Sequence, residues 1–161
     1  LLRDMGAAMS PFNAFMFIQG LETLHLRMRE HSANGQKVAE HLSNHSMVER
    51  VAYPGTSSDL PKERADKYLS DGCGGLLGFE IKGGHEAGKK FINSLEMLYH
   101  VANIGDSRSL AIHPASTTHS QLNEEELASG GISSGYIRLS IGLEHIDDIL
   151  ADIDQALAKA E

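Results

Sequence analysis

The chain has 161 residues, with 14 basic and 22 acidic side chains and a formal net charge of −8 when histidine is neutral. That length predicts one domain with a sizeable core, and the lack of any Lys/Arg-rich run argues against nucleic acid or an anionic membrane as a partner. The lone Cys73 cannot form an intrachain disulfide, and no apolar run approaches the ~18 residues of a membrane-spanning helix, so we expect a cytoplasmic protein.

A long helix is predicted near the start of the chain. Ser10 is a suitable N-cap, and Pro11 suits the first helical position. Apolar side chains then recur at intervals of three and four residues along one stripe: Leu21, Leu24, Met28, Val38 and Leu42. The helix should run to about residue 44, either as a connection between two domains or with a bend at Gly20 or Gly35. We expect residues 1–45 to be this connecting helix.

Short strands and helices alternate through residues 46–161, which we expect to be a small α/β domain. Strands are predicted at residues 47–53, 76–82, 98–101, 109–113 and 137–141. Helices are predicted at residues 61–69, 85–93 and from about 144 onward, with a helical turn at 123–128. No period repeats. This order favours an α/β sandwich (α+β in character): one small sheet with helices on one face, the other face being free for a ligand or a second domain.

The last predicted strand carries the most informative residue, Arg138. Ile137, Leu139 and Ile141 point to one side of that strand, and Arg138 points to the other with its neighbours at 136 and 140. A guanidinium on a reachable face is a two-pronged clamp for a carboxylate or a phosphate. The alternative is a surface arginine on a half-exposed strand.

Three further motifs have structural explanations. Residues 72–78 lack the third glycine of a dinucleotide loop and lead into a strand, which indicates turn glycines. Residues 131–135 match G-x-S-x-G, but a strand follows where a nucleophile elbow requires a helix. The segment HPASTTH at 113–119 could be a proline turn or a ligand-facing loop. Its histidine spacing does not fit a helical metal pair, so no metal site is predicted.

Several separate strings resemble one family. SPFNAFMFIQGLETLHLRM, VANIGDSRSLAIHPASTTHSQL and SGYIRLSIGLEHIDDILADIDQAL are similar, in order and spacing, to the C-terminal domain of the Cys/Met-metabolism pyridoxal-phosphate enzymes. That family includes cystathionine synthases and lyases, methionine γ-lyase and O-acetylhomoserine sulfhydrylase. Within it, Asn103 and the HPASTTH string look most like O-acetylhomoserine sulfhydrylase, because γ-lyases more often carry serine at the Asn103 position.

The resemblance implies a small, mostly antiparallel sheet with helices on one face, as in the C-terminal small domain of fold-type I pyridoxal-phosphate enzymes. It implies that Arg138 binds the α-carboxylate of the amino-acid substrate, with Asn103 and Thr118 at the same site. No lysine lies in the S-x-T-K context of the family's Schiff-base lysine. We therefore expect the chain to be part of a longer protein whose N-terminal cofactor-binding domain is missing here. The chain alone should be inactive and hold no cofactor.

For the full enzyme, the resemblance implies a γ-replacement in methionine biosynthesis: O-acetylhomoserine and sulfide give homocysteine and acetate. It also implies a homo-oligomer, a tetramer in the family. Three alternatives stay open. The enzyme could be a methionine γ-lyase or of the cystathionine γ-synthase type, or the chain could be a non-catalytic module that binds a small acid.

Overall fold

The computed structural model describes residues 2–6, 8–56 and 62–161, which form one five-stranded sheet with helices against one face. Along the chain the helices and strands are α1 (Leu2–Met5), α2 (Pro11–Glu22), α3 (Leu24–Ser43), β1 (Val48–Ala52), α4 (Lys62–Tyr68), β2 (Leu76–Ile81), α5 (Gly84–Ser94), β3 (Tyr99–His100), β4 (Leu110–Ile112), a 3₁₀ turn (Pro114–Ser116), α6 (Glu124–Ser129), β5 (Tyr136–Ser140) and α7 (Ile146–Ala160). Apart from the long first helix, the predicted elements are confirmed with shifts of one or two residues, and the predicted helix start at residue 61 lies outside the described residues.

The sheet has the order β1-β2-β5-β4-β3, so β5 lies at its centre. Three of its four strand pairs are antiparallel and the β3–β4 pair is parallel, which confirms the mostly antiparallel sheet. Ile137, Leu139 and Ile141 are fully buried, whereas Arg138 is only partly covered. The alternation predicted for this strand is therefore confirmed. It turns the arginine away from the core.

Helices α3 and α5 pack against the buried face of the sheet, and α7 packs against both of these helices. Their apolar stripes supply the core together with the inward residues of the strands: Val38, Leu42, Phe91, Ile149, Ile153 and Leu157 are all fully buried. Phe79 of β2 meets Phe91 of α5 edge to face, with 5.4 Å between ring centroids, a geometry favoured by the ring quadrupoles. Among the helices of the described residues, none is long and apolar enough to cross a membrane.

The predicted long helix is two helices, and the prediction of a bend at a glycine is wrong. The interruption falls at Thr23, whose φ of −105° and ψ of 4° depart from helical values. Its β-branched side chain is a weaker helix former, and its hydroxyl accepts a hydrogen bond from Arg27. Gly35 serves another purpose: a Cβ there would lie 2.6 Å from the carbonyl oxygen of Gly74. The glycine lets α3 approach the backbone that leads into β2.

The predicted apolar stripe is buried only in the C-terminal half of α3. Val38 and Leu42 of α3 are buried, but Leu21, Leu24 and Met28 are exposed, and α2 contains no buried residue. The large apolar side chains of α2 are all more than half exposed: Phe12, Phe15, Met16, Phe17, Ile18 and Leu21. The described part of the chain therefore leaves one apolar helix uncovered.

Asp152 of α7 fixes the turn between α5 and β3. Its carboxylate accepts hydrogen bonds from the backbone N–H groups of Glu96, Met97 and Leu98, at 2.8, 2.9 and 2.9 Å. Burial acts to raise the pKa of Asp152, but the three backbone donors and the Gln155 amide together outweigh it, and the pKa falls below its ordinary value. The carboxylate is a structural group that ties α7 to the edge of the sheet.

Candidate carboxylate-binding groove

An open groove of about 640 Å³ lies on the face of the sheet that the helices leave free. We call it the arginine groove. It is built from the outward residues of β1, β4 and β5 and from residues of three loops, and its lining consists of Arg50, Ala52, Ala102, Ile112, Pro114, Thr118, His119, Gly131, Ile132, Tyr136 and Arg138.

The floor around Arg138 is built by strand register. Arg138 pairs with Gly78 of β2 on one side and with Ile112 of β4 on the other. Gly78 has no side chain, and the Tyr136 ring occupies that space: a Cβ on Gly78 would clash with the phenol oxygen. Burial raises the pKa of Tyr136, while the positive charges of Arg138 and Arg50 oppose the rise. The phenol and the guanidinium therefore share one part of the floor.

Arg138 makes a single, long contact within the described residues. Its Nη2 donates to the carbonyl oxygen of Asn103 at 3.4 Å, and no carboxylate of the described chain lies within ion-pair distance. Arg50, also on this face, donates to Glu80 at 2.7 Å. The guanidinium of Arg138 thus keeps most of its donors available for an external anion, because a carboxylate takes two parallel N–H bonds from an arginine.

The loop that carries Asn103 is fixed to the end of β5. The backbone N–H of Gly105 donates to Ser140 Oγ at 3.1 Å, and Leu143 N–H donates to the Ser107 carbonyl at 2.8 Å. Glu144 accepts from both the N–H and the hydroxyl of Ser109, at 2.7 and 2.9 Å. Ser140 was predicted to share the outward face with Arg138, and this loop covers it there.

The structure brings the three predicted site residues to one place. Arg138 and Thr118 both line the groove, and Asn103 reaches Arg138 through its main-chain carbonyl, next to the lining residue Ala102. The Thr118 hydroxyl is exposed and lies 2.8 Å from His119 Nδ1. Their roles in binding stay predictions, because geometry alone does not assign a ligand.

Among the lining residues that sequence reasoning did not assign to the site, two are polar side chains on strands, Tyr136 and Arg50. Tyr136 had a usable signal, since it lies two residues before Arg138 on the same strand face. Arg50 had none, because its place beside the groove depends on β1 lying next to β2, and strand order is not written in local sequence. Two other motifs contribute backbone positions and no chemistry: residues 72–78 lead into β2 and bring Gly78 beside Arg138, and residues 131–135 form the turn into β5 and bring Gly131 and Ile132 to the lining.

The lining suits an anionic substrate better than the anchoring of pyridoxal phosphate. None of the described residues that line the groove is a lysine. Lys82, Lys90 and Lys159 are instead engaged elsewhere, with Ser46, Glu161 and Glu96. No group of three or more His, Cys, Asp and Glu side chains in the described part of the chain could hold a metal ion. The described lining therefore offers guanidinium groups and hydroxyls to an anionic ligand.

Comparison with known proteins decides the family. The model for the Cys/Met metabolism PLP-dependent enzymes matches residues 1–158. The chain belongs to this family. The resemblance and the fold class predicted from the three sequence strings are thereby confirmed.

Relatives within the Cys/Met metabolism family share about half of the sequence. O-acetyl-L-homoserine sulfhydrylase of Leptospira meyeri is 57% identical over 157 residues, covering 97% of this chain and 36% of its own length. L-methionine gamma-lyase of Pseudomonas putida is 47% identical, covering 97% and 39%. A solved structure of a putative O-acetylhomoserine (thiol)-lyase from Campylobacter jejuni, with N'-pyridoxyl-lysine-5'-monophosphate, superposes with a TM-score of 0.87 at 47% identity, covering 98% and 37%. The chain therefore spans less than two-fifths of the length of these relatives.

Proposed function

We propose that this chain binds the α-carboxylate of an amino-acid substrate within a pyridoxal-phosphate enzyme that converts O-acetylhomoserine and sulfide to homocysteine and acetate. The observation that carries the proposal is Arg138: a half-covered guanidinium in an open groove, with no carboxylate partner among the described residues. The sulfhydrylase relative at 57% identity supports the choice of substrate.

Three residues of this chain orient the substrate. Arg138 takes the carboxylate through two parallel N–H donors, and the Asn103 carbonyl holds the guanidinium in place. Thr118 faces the same groove and offers its hydroxyl to the bound amino acid. The cofactor, when bound, supplies the sink for electrons at the α-carbon. Pinning the carboxylate fixes which bond at that carbon is presented for reaction, and orientation of this kind contributes several kcal/mol.

The partner of this chain is, in this proposal, the N-terminal cofactor-binding domain of the same enzyme, which supplies the lysine. The uncovered apolar helix α2 supports it, since contiguous exposed apolar surface of this size marks an interface. We propose that α2 contacts that domain or a neighbouring subunit of a homotetramer in the cytoplasm. The chain alone should then self-associate; a monomer by ultracentrifugation, with no dye-binding apolar surface, would contradict this.

Methionine γ-elimination is the second candidate, because L-methionine gamma-lyase of Pseudomonas putida is 47% identical to this chain. A cystathionine γ-synthase reaction would use the same carboxylate clamp. The full-length enzyme should be assayed in parallel with O-acetylhomoserine plus sulfide, with methionine, and with O-acetylhomoserine plus cysteine. We expect homocysteine from the first mixture to be the main product. Methanethiol or cystathionine formed faster than homocysteine would overturn the choice of reaction.

A non-catalytic module that binds a small acid is the remaining alternative. It differs from the proposal in one measurable respect: the groove would bind carboxylates without any turnover in the full-length protein. Because the family relatives named above are a sulfhydrylase and lyases, we expect turnover. Full-length protein that binds pyridoxal phosphate but converts none of the three mixtures would support the module instead.

A further inference from the structure

His113 is a fully buried histidine with no place in the carboxylate clamp. It follows Ile112 at the end of β4, and Ile112 is the strand neighbour of Arg138. The imidazole lies below the groove among α5 and the two loops that form the groove walls. These walls are the segment Pro114–His119, which contains Thr118, and the segment Gly131–Ser134, which contains Ile132.

The first wall is tied to His113 at several atoms. The imidazole Nδ1 lies 2.8 Å from the Ser116 hydroxyl, and the His113 carbonyl accepts from the Thr117 hydroxyl at 2.8 Å. The N–H of His119 closes the turn by donating to the Pro114 carbonyl at 2.9 Å. Thr118, which carries the candidate hydroxyl, lies within this turn, next to the residues that are bonded to His113.

The second wall is tied through the other ring nitrogen. His113 Nε2 lies 2.8 Å from the carbonyl oxygen of Ser134. A carbonyl oxygen can only accept, so Nε2 carries the proton, and Nδ1 then accepts from the Ser116 hydroxyl in the neutral ring. The same neutral tautomer of His113 therefore forms both hydrogen bonds, one to each wall.

The surroundings keep this imidazole neutral. Burial lowers the pKa of His113, and the charges of His85, His100 and Lys89 lower it further. The hydrogen bond to the Ser134 carbonyl acts in the opposite direction and raises the pKa. The His85 ring packs at 5.3 Å between centroids. The ring also rests on Gly88 of α5, where a Cβ would lie 2.6 Å from Nε2. A glycine inside a helix is destabilising relative to alanine, and here it makes room for the ring.

We infer that His113 is a positioning residue of the arginine groove, which sets the spacing between its two walls and so the distance of Thr118 from the Arg138 guanidinium. The inference rests on the proposed function, because the spacing of the walls affects activity only if the substrate binds between them. Misplacement of a substrate-contacting group by about 1 Å can cost up to roughly 10²-fold in rate. A link between the walls is therefore expected to act on substrate binding as well as on stability.

The test uses the full-length enzyme with His113→Phe, which keeps a ring and removes both hydrogen bonds, and His113→Gln, which restores a side-chain N–H towards Ser134. We expect His113→Phe to raise KM for O-acetylhomoserine roughly tenfold with kcat changed much less, because the walls orient substrate. The Gln variant should recover part of that loss. The dissociation constant of a non-reactive amino acid, norvaline, should rise in parallel with KM.

The matched control is His31→Phe. His31 is also buried, and its Nδ1 lies 2.6 Å from a backbone carbonyl, that of Ile141, but it does not line the groove. We expect the control to lose stability with an unchanged KM. If His113→Phe behaves like His31→Phe, the positioning role is refuted.

A variant that fails to fold does not end the test. Ser116→Ala removes only the hydroxyl bonded to Nδ1, and it should raise KM by a few fold if the first wall is fixed through His113; an unchanged KM would overturn the inference. Arg138→Ala in the same assay separates the two proposals. A normal KM of the Arg138→Ala variant refutes the carboxylate clamp. A raised KM of that variant, together with normal KM values of the His113 and Ser116 variants, refutes only the positioning role.

Discussion

On the helix-covered face, the Asp152 carboxylate accepts three backbone N–H bonds of 2.8 to 2.9 Å, whereas on the open face Arg138 makes one bond of 3.4 Å to a carbonyl. Both are charged groups held by the same sheet and its connecting helices. The first is satisfied within the fold and the second is not. A charge that the fold has already partnered stabilises structure, and a charge left with free donors is available to a ligand.

The two arginines of the open face sharpen this contrast. Arg50 donates to Glu80 at 2.7 Å across the β1–β2 pair, where the two residues are strand neighbours. In the matching places beside Arg138 stand Gly78 and Ile112, neither of which can accept a side-chain hydrogen bond. Neighbouring residues therefore decide which arginine is engaged internally.

The largest expected effect is that of Arg138→Ala in the full-length enzyme. Truncating a charge-assisted clamp costs on the order of 3–5 kcal/mol, so kcat/KM for O-acetylhomoserine should fall by a factor of roughly 10² to 10⁴. Arg138→Lys should recover only part, since an ammonium lacks the planar fork. The visible spectrum of the bound cofactor should not change. Steady-state rates decide the matter, and near-wild-type turnover of the alanine variant at low substrate would end the assignment.

Removing the satisfied charge, by Asp152→Asn, should act on stability instead. The amide loses the charge that three N–H donors stabilise, at a cost of roughly 1–3 kcal/mol at neutral pH. Because the folded pKa of Asp152 is lowered, its contribution is complete above the ordinary pKa of an aspartate and is lost as the pH falls through the folded pKa. Urea unfolding of both proteins across that acidic range should show the difference shrinking. A constant difference would mean that the carboxylate charge is not the cause.

Gly78→Ala tests the floor beside Arg138. The added methyl would collide with the Tyr136 phenol, so the ring must move, and overpacking of this kind costs about 1–3 kcal/mol. In a Tyr136→Ala background the space is empty and the same change should cost much less. A double-mutant cycle of unfolding free energies measures this coupling. Equal costs in both backgrounds would show that ring and glycine are independent.

The smallest effect is expected from Asn103→Ala. Arg138 contacts the main-chain carbonyl of Asn103, which the substitution leaves in place. The loss in kcat/KM should therefore be about tenfold or less, near 1.4 kcal/mol, from any side-chain contact to substrate. Kinetics of this variant beside Arg138→Ala provide the comparison. A loss as large as that of Arg138→Ala would mean that the amide, and not the carbonyl, is the main binding group.

Local sequence was sufficient to predict the helices and strands in which apolar residues recur at a regular spacing. The alternation of β5 placed Arg138 on the open face, because side chains alternate across a strand and Ile137, Leu139 and Ile141 take the buried side. The Thr23 break could not be read in this way, since the apolar spacing continues through it from Leu21 to Met28. The groove also needed more than local pattern: Arg50 reaches its edge only through the order of the strands.

The central position of β5 has a consequence for how the protein folds. Within the described residues, β5 is the strand that joins the β1–β2 pair to the β4–β3 pair. It pairs with β2 across a long stretch of chain, and such distant pairings form slowly because loop closure comes before any gain in contacts. Until β5 docks, Arg138 has neither Gly78 nor Ile112 beside it. Affinity for a carboxylate at this site should therefore arise only after β5 has paired with β2 and β4, which would make anion binding a probe of that folding step.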